Sequence, residues 1–484
     1  MSTQTTIFIG VAVYIVIMIA VGIYAAKKTH SASEFMVAGR SLPLWLLTTT
    51  IVATWFGGGM MIGGVGAAYD DGLLGNIADP FGATVCLVLL GLFFVRLIRR
   101  LKLLTFVEFV EQRFGPTASF IASIAALASS LLWVAGMLVA FGIVFETLTG
   151  TPLLFGILGG AIVVILYTTM GGMLAVALTD FVQMIVIAVG LIMLLIVVMI
   201  DAGGWGTISA QLPEHTFRMY PLEHTGEKWL NYLRAWVIFG IADIASQSLM
   251  GRALAAKSER VAQNSFYLAA IAYLGFGMIP VLLGIIGSVT MPGLGDSESI
   301  IPALAFEHLH PVAIAIFVGA VLAAIMSSCD SALLASASVV STNLLPFVTR
   351  APSDKLRLQV VRWGIPGCGV IAVVAAVNAQ VVFDTMLDAN LFMLAAVIVP
   401  FILGVWWKKA NRAGALAAMS MGIVSWLMTS LLYPELPGDL IGLGVSFVTM
   451  IVVTPLTQKI DPPRDLVDSD GNPVELTDRL GVLR

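Results

Sequence analysis

The run Ala323-Ala324-Ile325-Met326-Ser327-Ser328-Cys329-Asp330-Ser331 sets three hydroxyls and a carboxylate within five residues of an otherwise apolar stretch. On a helix, positions three and four apart share a face. Ala324, Ser327 and Ser328 then present a carbonyl and two hydroxyls together, and Ser327, Asp330 and Ser331 form an adjoining oxygen-rich face. Hard cations take oxygen ligands. A carboxylate at membrane depth costs roughly 2.5 kcal/mol or more unless compensated, and a bound cation compensates it. A basic partner would do the same, but no lysine or arginine lies in the interior of a neighbouring predicted span. Single serines in such helices often bond back to the i−4 carbonyl; the cluster, rather than any one member, points to a cation site. Asp180, in Leu178-Thr179-Asp180-Phe181-Val182-Gln183, is a second candidate. Alone it reads equally as a carboxylate favoured by a helix N-terminus.

Other chemistries find no support. Cys86, Cys329 and Cys368 lie in apolar stretches, form no CxxC pair and imply no disulfide framework. His30, His215, His224, His308 and His310 lack zinc-type spacing and read as loop or helix-end residues. No nucleophile–base pair, Walker loop or metal-hydrolase motif is visible, so no enzyme is expected. The net charge of −4 gives no reason to expect nucleic acid.

The elements that position these residues must lie in lipid. Of the 484 residues 59% are hydrophobic and 11% charged, whereas a soluble chain carries about 25% charged residues. A spanning helix needs about 20 mostly apolar residues. Thirteen stretches qualify, at 5–26, 42–68, 77–98, 119–147, 153–171, 178–201, 230–250, 264–290, 304–345, 359–378, 383–407, 411–433 and 438–457. The stretch 304–345 exceeds one span and implies a helical extension. Met1–Thr6 carries no charged side chain, so the first stretch reads as a retained helix rather than a signal peptide. With the N-terminus outside, all 25 lysines and arginines except Arg218, Lys228 and Arg234 fall on the inside, the asymmetry expected of a multi-pass inner-membrane protein with a cytoplasmic C-terminus. The tail after 457 is short and polar, without room for a catalytic or output domain.

Two spans contain poor helix formers at membrane depth. Ala53-Thr54-Trp55-Phe56-Gly57-Gly58-Gly59-Met60-Met61-Ile62-Gly63-Gly64 holds five glycines, each costing about 1 kcal/mol against alanine in a helix. Close helix packing through small residues explains spaced glycines better than three in a row, so an unwound segment is expected. Five spans later, Phe239-Gly240-Ile241-Ala242-Asp243-Ile244-Ala245-Ser246-Gln247-Ser248 alternates apolar and polar residues. Interrupted spans at matching places in two halves point to a transporter binding site. The implied organisation is 1–41 as an extra helix and loop, 42–409 as a transport core (42–201 against 230–409), 410–457 as two extra helices, and 458–484 as a tail.

At these residues the sequence resembles the sodium/solute symporter family, which includes sodium–galactose, sodium–proline, sialic acid and choline transporters. The match rests on Gly39-Arg40-Ser41-Leu42-Pro43; on Gly171-Gly172 with Thr179-Asp180 and Gln183; on Arg252-Ala253-Leu254-Ala255-Ala256-Lys257-Ser258; on Ala323–Ser328; and on Leu403-Gly404 with Trp406, Lys408 and Lys409. The resemblance implies an all-α LeuT-type five-plus-five inverted repeat with one helix before it and two after, thirteen in all. It implies a sodium site made of the carbonyls of Ala53, Phe56 and Ala324 and the hydroxyls of Ser327 and Ser328. The sialic acid carriers' second sodium site maps onto Asp180, Ser327, Asp330 and Ser331. Asp330 departs from their serine and resembles the choline branch. One or two sodium ions, or one sodium and a proton, are therefore expected.

Substrate residues transfer less directly. Ser246-Gln247-Ser248 replaces the Asn-Gln-Tyr run of the sugar carriers, and Ser246 stands where choline carriers have tryptophan. The candidate lining residues are Thr54, Trp55, Met60, Trp133, Asp243, Ser246 and Gln247. Trp55 offers a cation–π surface. Asp243 would favour an amine if it faces the cavity, and otherwise bonds a helix end. The expected activity is alternating-access symport of a small polar solute, of amine, amino-acid or carboxylate type rather than sugar, in a lipid bilayer and with no obligatory protein partner. A proton-coupled symporter on the same fold and a transporter-like sensor remain as alternatives.

Overall fold

The computed structural model describes residues 3–223, 225–378, 390–474 and 480. His224, Arg479, Arg484 and the beginning of the stretch 383–407 lie outside the described residues. Those described are helical, with two isolated β-bridges.

In chain order the principal helices are α1 (Thr3–Ala26), α2 (Leu44–Trp55), α3 (Val65–Asp71), α4 (Ala83–Phe93), α5 (Phe106–Phe114), α6 (Pro116–Thr149), α7 (Leu153–Asp201) and α8 (Gly226–Gly240). They continue with α9 (Gln247–Ala255), α10 (Glu259–Thr290), α11 (Ile300–His308), α12 (Pro311–Val339), α13 (Asp354–Asn378), α14 (Ile398–Trp406), α15 (Arg412–Leu432) and α16 (Gly438–Thr457). By length and composition eight helices among the described residues can cross a membrane, nine with the bent pair Leu44–Trp55 and Gly59–Asp71.

Helix starts follow local chemistry. Ser31 with Glu34, and Thr105 with Glu108, form capping boxes that satisfy first-turn N–H groups. Pro116 and Pro311 open α6 and α12 at positions where a missing N–H costs nothing. Pro311 also sets off the apolar residues 304–308, which belong to the separate short helix α11, so the long stretch 304–345 divides there. The two stretches 153–171 and 178–201 form one element, α7, of 49 residues. Gly172 interrupts it at φ 60° and ψ −150°. A side chain there would be strained, and its Cβ would lie 2.3 Å from the Phe35 carbonyl oxygen.

Burial ranks the helices. The segment 311–348 is 83% buried in its most apolar window, against 22% for α15 and α16. A helix apolar all round and buried all round belongs at the centre, so α12 is the axis of the molecule and α15 and α16 face lipid. The polar cluster of α12 thus sits in the driest part of the fold.

Loop contacts divide into two sets. On one face Leu42 N–H donates to Ala255 O and Lys257 N–H to Leu42 O, both at 3.1 Å. There too Arg100 pairs with Glu259 at 2.9 Å, Ala32 N–H reaches Asp354 at 3.2 Å, and Arg113 donates to Lys408 O at 2.9 Å and to Arg464 O. The tail joins this face through Ser469 N–H to Leu101 O at 3.2 Å and Lys102 to Asp468 at 3.2 Å. The other set comprises Leu73 N–H to Thr216 O at 2.9 Å, Arg234 with Asp439 at 2.6 Å and His308 with Asp201 at 2.8 Å.

Candidate ion and solute site

Helix α2 stops at Trp55. Phe56 has ψ 73°, and Gly57 N–H folds back to Trp55 O at 2.8 Å. The chain re-enters helix from Gly59 after a 58° bend. The last carbonyls of a helix lack intrahelical partners, and Ala53 O turns instead to Ser327 of α12. Ser327 Oγ stands 3.0 Å from Ala53 O and 2.8 Å from Ala324 O. Ser328 Oγ is buried with no hydrogen-bond partner. Gly57 makes this approach possible, because a Cβ there would fall 2.2 Å from Ser328 Oγ. A buried hydroxyl without a partner is costly, and service as an oxygen ligand to a hard cation would relieve it.

The oxygen-rich second face forms a different arrangement. Ser331 Oγ donates to Ser327 O at 2.7 Å and lies 3.1 Å from Asp330 Oδ1. Tyr167 of α7 donates to Asp330 Oδ2 at 2.7 Å. Thr50 of α2 donates to Asp180 Oδ2, while Asp180 Oδ1 has no hydrogen-bond partner. The expectation that no basic residue enters this region is corrected by Arg252. Its guanidinium is 3.6 Å from Asp180 and donates to Ser331, with both charged side chains sealed from solvent. The predicted span ends at 250 and leaves Arg252 beyond the membrane, but α9 continues past that end, through Ala255. Its Ser248 O contact at 2.9 Å turns the side chain back along the helix.

Helix α8 stops at Gly240, a single turn covers Ala242–Ala245, and α9 begins at Gln247. A cavity of about 30 Å³ lies between this break, the break after α2, and α6. Of the expected lining residues Thr54, Trp55, Trp133, Asp243 and Ser246 face it. Ser129, Ser130, Ser248 and Asn390 add polar groups, and Ser328 joins its wall. Two expected lining residues do not reach the cavity. Gln247 Oε1 accepts the Phe106 N–H at 2.9 Å, on the side of α5. Met60 is buried, its sulfur packed near Gly64 and its methyl near Gly277.

Four contributors escaped the sequence reading. Asn390 donates to Asp243 Oδ2 at 3.1 Å. Tyr273 donates to Asp79 Oδ1 at 2.7 Å and packs edge-on against Trp55 at 6.0 Å between centroids. Tyr167 holds Asp330. Asp79 lies inside the predicted stretch 77–98, where its partner Tyr273, distant in sequence, left no local signal.

The model of the Sodium:solute symporter family matches residues 35–422. The high-affinity choline transporter 1 of Drosophila melanogaster is 28% identical over 85% of this chain and 68% of its own. The osmoregulated proline transporter OpuE of Bacillus subtilis is 28% identical over 94% of this chain and 95% of its own. A Na+-coupled sialic acid symporter, in a substrate-bound outward-open state, superposes with a TM-score of 0.79 at 20% identity, over 94% of this chain and 98% of its own. The nucleobase-cation-symport-1 transporter Mhp1 follows at 0.62 with 18% identity, covering 93% and 98%. The fold is therefore that of LeuT-like transporters. This chain belongs to the sodium:solute symporter family and is a multi-pass membrane transporter rather than an enzyme.

Proposed function

We propose that this protein couples sodium entry to the import of a small polar organic solute by alternating access. The observation that carries the reading is Ser328, whose buried hydroxyl has no hydrogen-bond partner and whose residue forms part of the cavity wall; the proposed ion set is this hydroxyl with Ala53, Phe56, Ala324 and Ser327. A sodium ion drawing on those oxygens ties α2 to α12 and fixes the break that shapes the cavity. Opening inward separates the two helices and releases both cargoes. Each ligand favours the same state, a reciprocal coupling free energy. The described cavity admits about one water, so solute entry requires the walls to part.

A second cation place is proposed at Asp180, Ser327, Asp330 and Ser331. Two carboxylates there face one guanidinium, which leaves one negative charge over. A second sodium or a proton completes the balance, and a sodium must share Asp180 with Arg252. Thirteen spans, with 42–201 and 230–409 as inverted repeats, accord with the two helix breaks and the fold likeness. The two sets of loop contacts accord with an inner-membrane orientation, N-terminus outside and tail cytoplasmic, because the basic segments share one face.

The test is thermal stabilisation of the purified protein across amines, amino acids, sugars and carboxylates, each in sodium or potassium. Ligand-linked stabilisation grows with ligand over dissociation constant. A hit that needs sodium and disappears in Ser327→Ala supports the reading; a hit indifferent to sodium but sensitive to pH replaces it with proton coupling.

A further inference from the structure

We infer that the solute is a protonated primary or secondary amine, gripped by Asp243 and the serine hydroxyls around it; this deepens the symport reading above and rests on the same cavity. Asp243 is 7% exposed and forms part of the cavity wall. Its Oδ2 accepts from Asn390 at 3.1 Å, which still leaves lone pairs for a second donor. Among the described residues no lysine, arginine or histidine lines this cavity. Arg252, at the inner end of α9, is engaged by Asp180 and Ser331, and Arg234, at the other face, by Asp439. A buried carboxylate without a basic partner is costly, and a cationic solute supplies that partner when it binds.

A second carboxylate reinforces the sign. Asp79, 5% exposed, lies within electrostatic reach of Asp243 and is held by Tyr273, whose ring backs Trp55. Both carboxylates sit at breaks in their spans, where their backbone is already irregular. The site therefore attracts positive charge and repels a free carboxylate.

The wall chemistry narrows the cation further. Ser129, Ser130, Ser246 and Ser248 offer acceptor oxygens beside Asp243, and these reward N–H donors. A quaternary ammonium has none and depends on aromatic faces. The aromatic wall consists of Trp55 and Trp133, which offer apolar surface to the carbon body of an amine beside a hydrogen-bonded head.

The experiment is thermal stabilisation of the full-length protein in detergent, in sodium or potassium. The probes are ethylamine, tetramethylammonium and propionate, applied to the native chain and to Asp243→Asn and Asp243→Glu. Ethylamine stabilises the native protein more than tetramethylammonium, and propionate does not. Asp243→Asn weakens the ethylamine effect about tenfold or more, the usual scale of a lost charge-assisted hydrogen bond, and Asp243→Glu restores part of it. Stabilisation by sodium alone survives in both variants and shows that they fold. Stabilisation by propionate, a tetramethylammonium effect larger than that of ethylamine, no amine effect, or an unchanged Asp243→Asn response overturns the inference. An amine effect that persists in potassium upholds it while removing sodium coupling.

Discussion

Arg252 and Asp180 meet 3.6 Å apart with both side chains closed to solvent. They come from α7 and α9, and Ser331 of the central helix accepts a further hydrogen bond from the same guanidinium. Removing one partner of such a pair leaves an uncompensated buried charge at a cost of about 3–5 kcal/mol. Arg252→Gln and Asp180→Asn are each expected to destabilise by that order, and the double variant by less than their sum. Denaturation of the four proteins of the cycle in detergent checks it; additive losses would show that the two groups do not interact.

Gly57 is the place where the chain can pass Ser328. In Gly57→Ala the new Cβ falls 2.2 Å from Ser328 Oγ and 3.0 Å from Met137 Sδ. Overpacking of this kind costs about 1–3 kcal/mol. The expected result is a sodium affinity weakened about tenfold or more, which corresponds to that range, read from sodium titration of the melting temperature. An unchanged titration would place the ion elsewhere.

Asp330 belongs to the proposed second cation place. Asp330→Asn removes a charge while preserving an acceptor for Tyr167, whose hydroxyl now stands 2.7 Å away. The steepness of the sodium dependence of uptake should fall towards that of a single ion. If steepness is unchanged and the pH dependence of uptake is lost instead, the charge is balanced by a proton.

The tail is clasped through Asp468. The backbone N–H of Asn472, the Lys102 ammonium, the Asn472 side chain and the Asp470 N–H hold its carboxyl down at about 2. A carboxyl depressed below its ordinary value of about 3.9 contributes fully above that value and loses its contribution as pH falls through about 2. The clasp is therefore insensitive to pH between about 5 and 8 and opens only in strong acid. Asp468→Asn should open it at neutral pH, measured as faster tryptic cleavage after Arg464; equal cleavage rates would count against the clasp.

The sequence made the membrane, both broken helices and the buried polar cluster of α12 readable, because each depends on local composition. Five glycines around Phe56 cannot hold a straight helix at membrane depth, and a serine cluster with an aspartate cannot be lipid-facing. What escaped depended on bending and on distant partners. Arg252 looked external because hydropathy assigns an arginine to water, whereas its helix runs inward far enough to meet Asp180. Gln247 looked like a wall residue because its neighbours are, yet one helical step turns it to the Phe106 N–H. Met60 sits past the bend rather than before it, and the bend moves it behind the wall. Asn390 and Asp243 meet from residues 147 apart in sequence, which no local pattern records.

The small bridge at Leu42 has a mechanical consequence. It joins the segment entering the first interrupted helix to the segment leaving the second, through one hydrogen bond to Ala255 and one from Lys257. Two levers pinned together at one end cannot swing independently. If the proposed ion binds at the first, its occupancy would be delivered to the second without any signal passing through the solute, and the pinned ends would act as a crank shared by both cargoes.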